Sequence, residues 1–565
     1  MPNKGSWLKA EHLALLLVSC LYLSFIIPAP GLSLPEANHD DGLFMRWSVS
    51  LMQGHWLGPW DSLSTVKGPL HSLLTAAAAS LGINPFVYKR LLYWLASLVF
   101  VQTCLARSEF WLRLLCFLAL LLDPFQFTSP GLRNIRESTY IPLQLLSFGF
   151  GAACIDQMRT AAPRLKSIAC LVAATTACFG LLLITREARI IAWLEFGLWL
   201  ALLLLSGRRL IGRLLRIRPI PAVLALTLIG FSILAMIRAP EQAVSAANLK
   251  HYGYALSNNN EEGEFPRFYG RLITINRKGE AAKPRVPITK ATLNQILAEA
   301  PANSEVHTIL SRIEAKVWGS LSCHAYHETC GEIGGGWFLW ALREAAGDSI
   351  PPGRKEDAFQ DLLLKARMQL QTICSQSSQL DCHRPVVGYL TPIQRWGFAD
   401  PWGEVRKEMM SVLQPALLPS ANPFQESLDL SNEGRSQEFI QLARPLGIAA
   451  VQRSDAARWQ SLLGGLRWLG CAIKWSLLIA ALSVVVWVAR DRRLPQPSAD
   501  PICIWLALSV IAQWSLYCLV GLTSFSGLGY VGIASPLFIG LLARITAASR
   551  PNQRLPLNKE ATRSM

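Results

Sequence analysis

The chain has 565 residues, 51% of them apolar, and 54 Lys and Arg against 38 Asp and Glu give it a net charge of +16. A mean hydropathy of +0.29, with several apolar stretches of bilayer length, excludes an ordinary soluble protein and predicts a polytopic α-helical membrane protein. The cations sit in short loops beside those stretches, so the charge reads as membrane topology and not as a nucleic-acid surface.

In chain order, spans are predicted at 11–28, 87–106, 110–124, 138–155, 167–184, 189–206, 219–238, 467–489, 501–522 and 527–546. Lys4 and Lys9, Arg107 and Arg113, Arg159 to Lys166, Arg208 to Arg218, Arg490 to Arg493 and the tail beyond Arg544 then all fall on one side. By the positive-inside rule that side is cytoplasmic. Both termini are expected there, in a multi-pass protein of the cell inner membrane. The first apolar stretch is read as a retained anchor, because Pro28-Ala29-Pro30 is a poor cleavage site. Four units result: a seven-span module at 1–238, an extracytoplasmic domain at 239–466, three further spans at 467–546 and a cytoplasmic tail at 547–565.

The outward loops carry the chemistry. In the first, His39-Asp40-Asp41-Gly42-Leu43-Phe44 places two adjacent carboxylates at the membrane surface, where charge is costly. Residues 43–52 then have helical spacing with one apolar side, which suits an interfacial helix. Gly54-His55-Trp56-Leu57-Gly58-Pro59-Trp60 breaks it, and Lys67-Gly68-Pro69-Leu70-His71 leads into a second apolar helix, too short to span, that ends at Gly82. Trp47, Trp56 and Trp60 are expected as interfacial anchors, with stacking on a sugar ring as the alternative.

The second outward loop reads Gly131-Leu132-Arg133-Asn134-Ile135-Arg136-Glu137, two arginines three apart and on nearly one face if helical. The third, Thr185-Arg186-Glu187-Ala188-Arg189, adds another acid and two more cations. Inverting glycosyl transfer needs a carboxylate to take a proton from the acceptor hydroxyl, a role that Asp40 or Asp41 fits. It also needs cations against the charge growing on a phosphate leaving group, which Lys67, Arg133 and Arg136 fit. Glu137, Arg186 and Glu187 are supporting groups. The plainer alternative is that Arg136–Glu137 and Arg186–Glu187 are interfacial ion pairs between sequence neighbours.

The domain at 239–466 is polar enough to fold in water, with helical stretches near 288–318, 336–346 and 355–374. Its run Gly334-Gly335-Gly336-Trp337-Phe338-Leu339-Trp340 reads as a glycine-hinged amphipathic helix resting on the membrane, or as a lip that contacts sugar or lipid. Nine of the thirteen cysteines lie in or beside apolar spans. The other four form two close pairs, for which disulfides Cys323–Cys330 and Cys374–Cys382 are expected; a zinc site from Cys323, His324, His327 and Cys330 is the alternative.

The run Asp40-Asp41-Gly42-Leu43-Phe44, then Gly54-x-Trp56-x-x-Pro59, then Lys67-Gly68-Pro69-Leu70-His71 resembles the pattern of membrane glycosyltransferases of the GT-C fold. It looks most like the branch holding the lipid A aminoarabinose transferases and the protein O-mannosyltransferases. That resemblance implies a GT-C-like module of seven spans with two interfacial helices after the first, and a polyprenyl-phosphate-linked sugar as donor. It also implies Asp40 as base, Asp41 as the acid after it and Lys67 as a donor-phosphate contact. Asp41 stands where that pattern has Glu, and Gly68 and His71 replace Pro and Tyr. The resemblance stops at 238, so the acceptor, whether lipid, glycan or protein, stays open.

The expected function is transfer of a hexose or pentose from the lipid carrier to an acceptor at the outer face, with membrane lipids as surroundings. An O-antigen polymerase or ligase, a polysaccharide or lipid transporter and a non-catalytic scaffold are the alternatives. A transporter would place charges within its spans, whereas this chain is read as keeping nearly all its charges at the span ends. The sequence identifies no cofactor; a divalent metal is compatible with acids beside a phosphate, but no ligand spacing identifies one.

Overall fold

The computed structural model describes residues 4–31, 39–160, 162–187, 189–217, 219–384, 397–417, 441–448, 453–490, 500–523 and 532–548. The chain is an α-helical polytopic membrane protein. Among the described residues, seven helical stretches are long and apolar enough to cross a bilayer: Phe110–Phe127, Glu137–Met158, Leu165–Leu183, Arg189–Ile217, Pro219–Tyr252, Arg458–Trp487 and Pro501–Thr523. Three more apolar helices, Glu11–Ile26, Pro85–Cys104 and Ser535–Ala547, stand at the remaining predicted places. The last begins well inside the predicted 527–546. Arg492, Arg493 and the tail from 549 lie outside the described residues.

The short helices of the first outward loop are Asp41–Met52 and Leu70–Ser80. The second meets Pro85–Cys104 at 113°, a turn made at Gly82, whose φ of 73° is one that a side chain disfavours. Pro85 then opens the next helix at its first turn, with Asn84 capping it by accepting from the Phe86 N–H at 2.8 Å.

Glu137–Met158 is the most enclosed span, packed between Pro85–Cys104 and Leu165–Leu183, whereas Pro219–Tyr252 presents Leu224, Leu228 and Phe231 outward in its apolar half. The C-terminal helices are built into the seven-span unit. Trp505 stacks on Phe148 at 4.0 Å and donates to the Glu195 carbonyl at 3.0 Å. Lys474, from the middle of Arg453–Arg490, is fully buried and bonds to Asp123 at 2.9 Å and Ser535 at 2.7 Å. Glu195, also buried, accepts from Gln513 at 2.6 Å. Charges are therefore not confined to helix ends as the sequence suggested; the interior ones hold helix to helix.

At the end of the bundle away from the outward loops, Arg544 joins Asp500 at 2.6 Å and the Cys104 carbonyl at 2.6 Å. The domain at the other end has its own core of Phe265, Phe338, Leu342, Phe359 and Leu363. The predicted helix 288–318 is three, Lys290–Glu299, Glu305–Leu310 and Ala315–Ala325. Pro301 interrupts the first, and Ser304 caps the second by accepting from the His307 N–H at 3.2 Å. A small antiparallel pair, β1 (Ile275–Arg277) and β2 (Leu380–Cys382), sets Ile275 opposite Cys382. Disulfides join Cys323 to Cys330 and Cys374 to Cys382, so those sulfurs are not available as the zinc ligands considered above.

Candidate functional site

The three outward loops converge on one end of the bundle. Asp40 precedes the helix Asp41–Met52, and its carboxylate accepts from Lys67, whose amine also donates to the His39 carbonyl. The lysine side chain is 3% exposed and that of Asp40 42% exposed, so the acid alone faces the opening. Burial raises the carboxyl, but Lys67, Arg136 and Arg133 together hold it below the usual carboxylate range. Burial is the largest single influence, but the three cations together outweigh it, and Asp40 is a carboxylate at neutral pH.

Asp41 lies behind it, fully buried, and receives Arg133 through Nε at 2.9 Å and through a second, terminal nitrogen. The same arginine stands 3.9 Å from Asp40. Arg133 and Arg136 are not on one helical face: they occupy the break between Ser129–Leu132 and Glu137–Met158 and diverge, Arg133 toward Asp41 and Arg136 toward Glu187. The arginine–glutamate pairs also cross between loops. Arg136 meets Glu187, Arg186 meets Glu137 at 3.3 Å, and the neighbour contact Arg136–Glu137 is 3.7 Å. The crossing ties the second and third outward loops together.

Gly68 explains one departure from the family pattern. A Cβ there would lie 2.1 Å from the Ile184 carbonyl oxygen, and the Leu70 N–H donates to that same oxygen at 3.3 Å. Only glycine lets the lysine loop close on the third loop. His71 is buried, shares a hydrogen bond with Thr139 at 2.9 Å and meets Phe44 edge-on at 5.1 Å; it braces the two short helices and is turned away from the opening.

Above the site, the domain grips the lysine loop. Glu356, 1% exposed, accepts from Trp60 at 2.9 Å, Thr65 at 3.0 Å, Gln360 at 2.7 Å and Asn259. Buried Arg343 donates to the Ser62 carbonyl at 2.9 Å and to Asn260 at 2.9 Å, with its guanidinium 4.0 Å from the Phe265 ring. Trp56 donates to Asn248 at 2.7 Å. Trp56 and Trp60 thus serve as hydrogen-bonded anchors of this loop on the domain, and Trp47 is buried beside Phe44.

The helix Gly335–Gly347 does not rest on the membrane by its aromatic face. Phe338 is in the domain core, and Trp340 lies 4.6 Å from the His39 ring, nearly parallel, and 5.8 Å from the Lys67 amine. Burial, with Lys67 next, lowers His39 to about 4, so its 3.6 Å approach to Glu344 is not an ion pair at neutral pH.

Beside the crossed pairs, Arg189 meets Glu241 at 3.3 Å, Glu261 at 2.8 Å and Glu262. Burial, against the pull of Arg189, raises Glu261 to about 7.

The sequence reading gave no role to His39, Lys89, Glu261, Arg343 or Glu356, and it set Trp340 at the membrane instead of over His39. Lys89 donates to the Arg133 carbonyl at 2.6 Å; a cation pair, Lys89-Arg90, at the head of an apolar run was a usable signal. The others depend on contacts over many tens of residues, which local patterning does not carry. Among the described residues no group of three or more His, Cys, Asp or Glu is arranged to hold a metal ion.

No protein-family model matches the chain, and no curated protein matches it. Among solved structures it is similar to ArnT from Cupriavidus metallidurans in the apo state, at 12% identity and a TM-score of 0.30, over 96% of this chain and 78% of that one. It is similar also to ArnT from the same organism bound to undecaprenyl phosphate, at 11% identity and a TM-score of 0.26, over 97% and 78%.

Proposed function

We propose that this protein is a membrane glycosyltransferase that moves a sugar from a polyprenyl-phosphate carrier to an acceptor hydroxyl, with inversion and with Asp40 as base. The observation that carries the reading is a partly exposed carboxylate set among buried cations, Asp40 against Lys67 and Arg133. The motif resemblance in the first outward loop supports it independently. The exposed Asp40 carboxylate is approached by two buried cations, Lys67 and Arg133, and Arg133 also serves Asp41, an arrangement that can receive a further anion.

The acceptor hydroxyl gives its proton to Asp40 as its oxygen bonds to the anomeric carbon, and the carbon–oxygen bond to phosphate breaks on the opposite face. The released lipid phosphate takes the electron pair and is stabilised by Lys67 and Arg133. Asp41 fixes the aim of Arg133 through its two contacts, and Glu187 does the same for Arg136. Lys67 has a second effect. While it pairs with Asp40 it keeps the carboxylate a weak base; a donor phosphate that draws the amine away restores basicity, so the base is released only when the donor is loaded.

Membranes carrying Asp40→Asn, compared with wild type at equal protein level, test this by transfer of radiolabelled sugar to lipid-extractable or protein acceptors. The expected result is a loss of about 10²-fold or more; unchanged transfer removes Asp40 from the chemistry.

Charges within the spans, the feature a transporter reading predicts, are present, and each is engaged by a neighbouring helix: Lys474 by Asp123, and Glu195 by the Gln513 amide.

A further inference from the structure

We propose that Trp340, in the extracytoplasmic domain, is a positioning residue for the base, acting through His39; the inference rests on Asp40 being that base. The His39 ring lies between Trp340, at 4.6 Å and 10°, and Trp318, at 5.8 Å and 28°. Trp340 packs both against the domain core around Phe338 and Leu342 and against the cluster of Phe44, Trp47 and Val66 at the membrane end. With Trp60 it is one of two tryptophans that touch both cores, and it is the one that stacks on His39. Flat aromatic contacts of this kind hold a ring's position and plane.

The residue so held is the one before the base. Beside a 3.6 Å approach to Glu344, two attachments fix it: the stack, and the Lys67 amine, which bonds to the His39 carbonyl and the Asp40 carboxylate together. Once a donor phosphate draws Lys67 away, the second attachment is lost when Asp40 must keep its line to the acceptor hydroxyl. The stack then holds the His39 side of the base, while the Phe44 N–H on the Asp40 carbonyl at 3.0 Å holds the helix side. The domain so contributes to turnover at a step after donor binding, and the signature is loss of transfer without loss of carrier affinity.

The test pairs two measurements on full-length protein: label transfer in membranes, and binding of undecaprenyl phosphate to purified protein in detergent. Trp340→Ala is expected to lower transfer about 30- to 100-fold, the scale of a small misplacement of a reacting group. Its affinity for undecaprenyl phosphate stays within about 3-fold of wild type, since cation contacts set it. Trp340→Phe restores transfer to within about 5-fold, because a ring still stacks. His39→Ala copies Trp340→Ala, and His39→Phe copies Trp340→Phe.

Wild-type transfer by Trp340→Ala overturns the proposal, as does a parallel fall in transfer and binding. If Trp340→Ala does not fold, the two His39 variants decide, and equal transfer by them overturns it. Asp40→Asn is run alongside. If it transfers sugar normally, the reading of the base falls and this inference with it; if it is inactive while Trp340→Ala is normal, only the positioning role falls.

Discussion

Lys474 and Lys67 are both buried amines facing an aspartate, and the difference between them separates a fastener from a site. Lys474 and Asp123 are both wholly buried and share Ser535 as a third partner; the group lies within the bundle and joins the C-terminal helices to the first module. Lys67 is nearly as deeply buried, but its aspartate is 42% exposed and a second cation, Arg133, stands 3.9 Å from it. A closed, balanced pair offers a substrate nothing, whereas an open pair with excess positive charge offers an anion a place and a hydroxyl a base. Burial alone therefore does not mark chemistry; incomplete neutralisation does.

The contrast breaks if removing either aspartate has the same consequence. Asp40→Asn should lower transfer about 10²- to 10⁴-fold with little change in the amount of folded protein, read as labelled acceptor per molecule detected in the membrane. Lys474→Ala should do the opposite, costing about 3–5 kcal/mol of stability by leaving Asp123 buried and unpaired. Thermal unfolding in detergent would show it, and the double variant Lys474→Met with Asp123→Leu should recover most of the loss. A lowered transfer per folded molecule in that double variant would merge the two regions again.

Smaller changes sharpen the picture. Lys67→Met should weaken undecaprenyl phosphate binding about 10- to 100-fold, the worth of one charge-assisted hydrogen bond, measured by titration of purified protein. A pH effect is expected at Glu261. Its folded value of about 7 lies above the ordinary 4.5, so the folded state binds the proton more tightly, and stability is lost as pH rises from 4.5 through 7. The loss is at most about 3 kcal/mol. Glu261→Gln should flatten the fall in unfolding temperature over that interval; an unaltered slope assigns the effect elsewhere.

Much of this architecture was legible because hydropathy and short loops are local. The ten apolar stretches and the two short helices after the first carry their own periodicity, and Asp40, Asp41, Lys67, Arg133 and Arg136 stood out as charges where charge is costly. Pairing was not legible. Arg136 and Glu187 are 51 residues apart, so neighbour pairs were the natural expectation, and only the packing of loops reverses it. The same holds for Trp340. Its glycine-rich approach and aromatic spacing suggested a membrane-resting helix, but nothing local shows that a ring will meet His39 about three hundred residues away.

The helix Pro219–Tyr252 acts as a ruler. Its 34 residues make a rod of about 51 Å, against an apolar slab of about 30 Å. The apolar stretch up to Ile237 measures about 29 Å and matches that slab, which puts Glu241, the partner of Arg189, just above its edge. Asn248, which holds Trp56, then stands about 16 Å higher than Ile237. The rod thus sets two levels along its axis: the Arg189–Glu241 contact about 6 Å past the apolar stretch, and the Trp56 anchor at Asn248 about 10 Å beyond it.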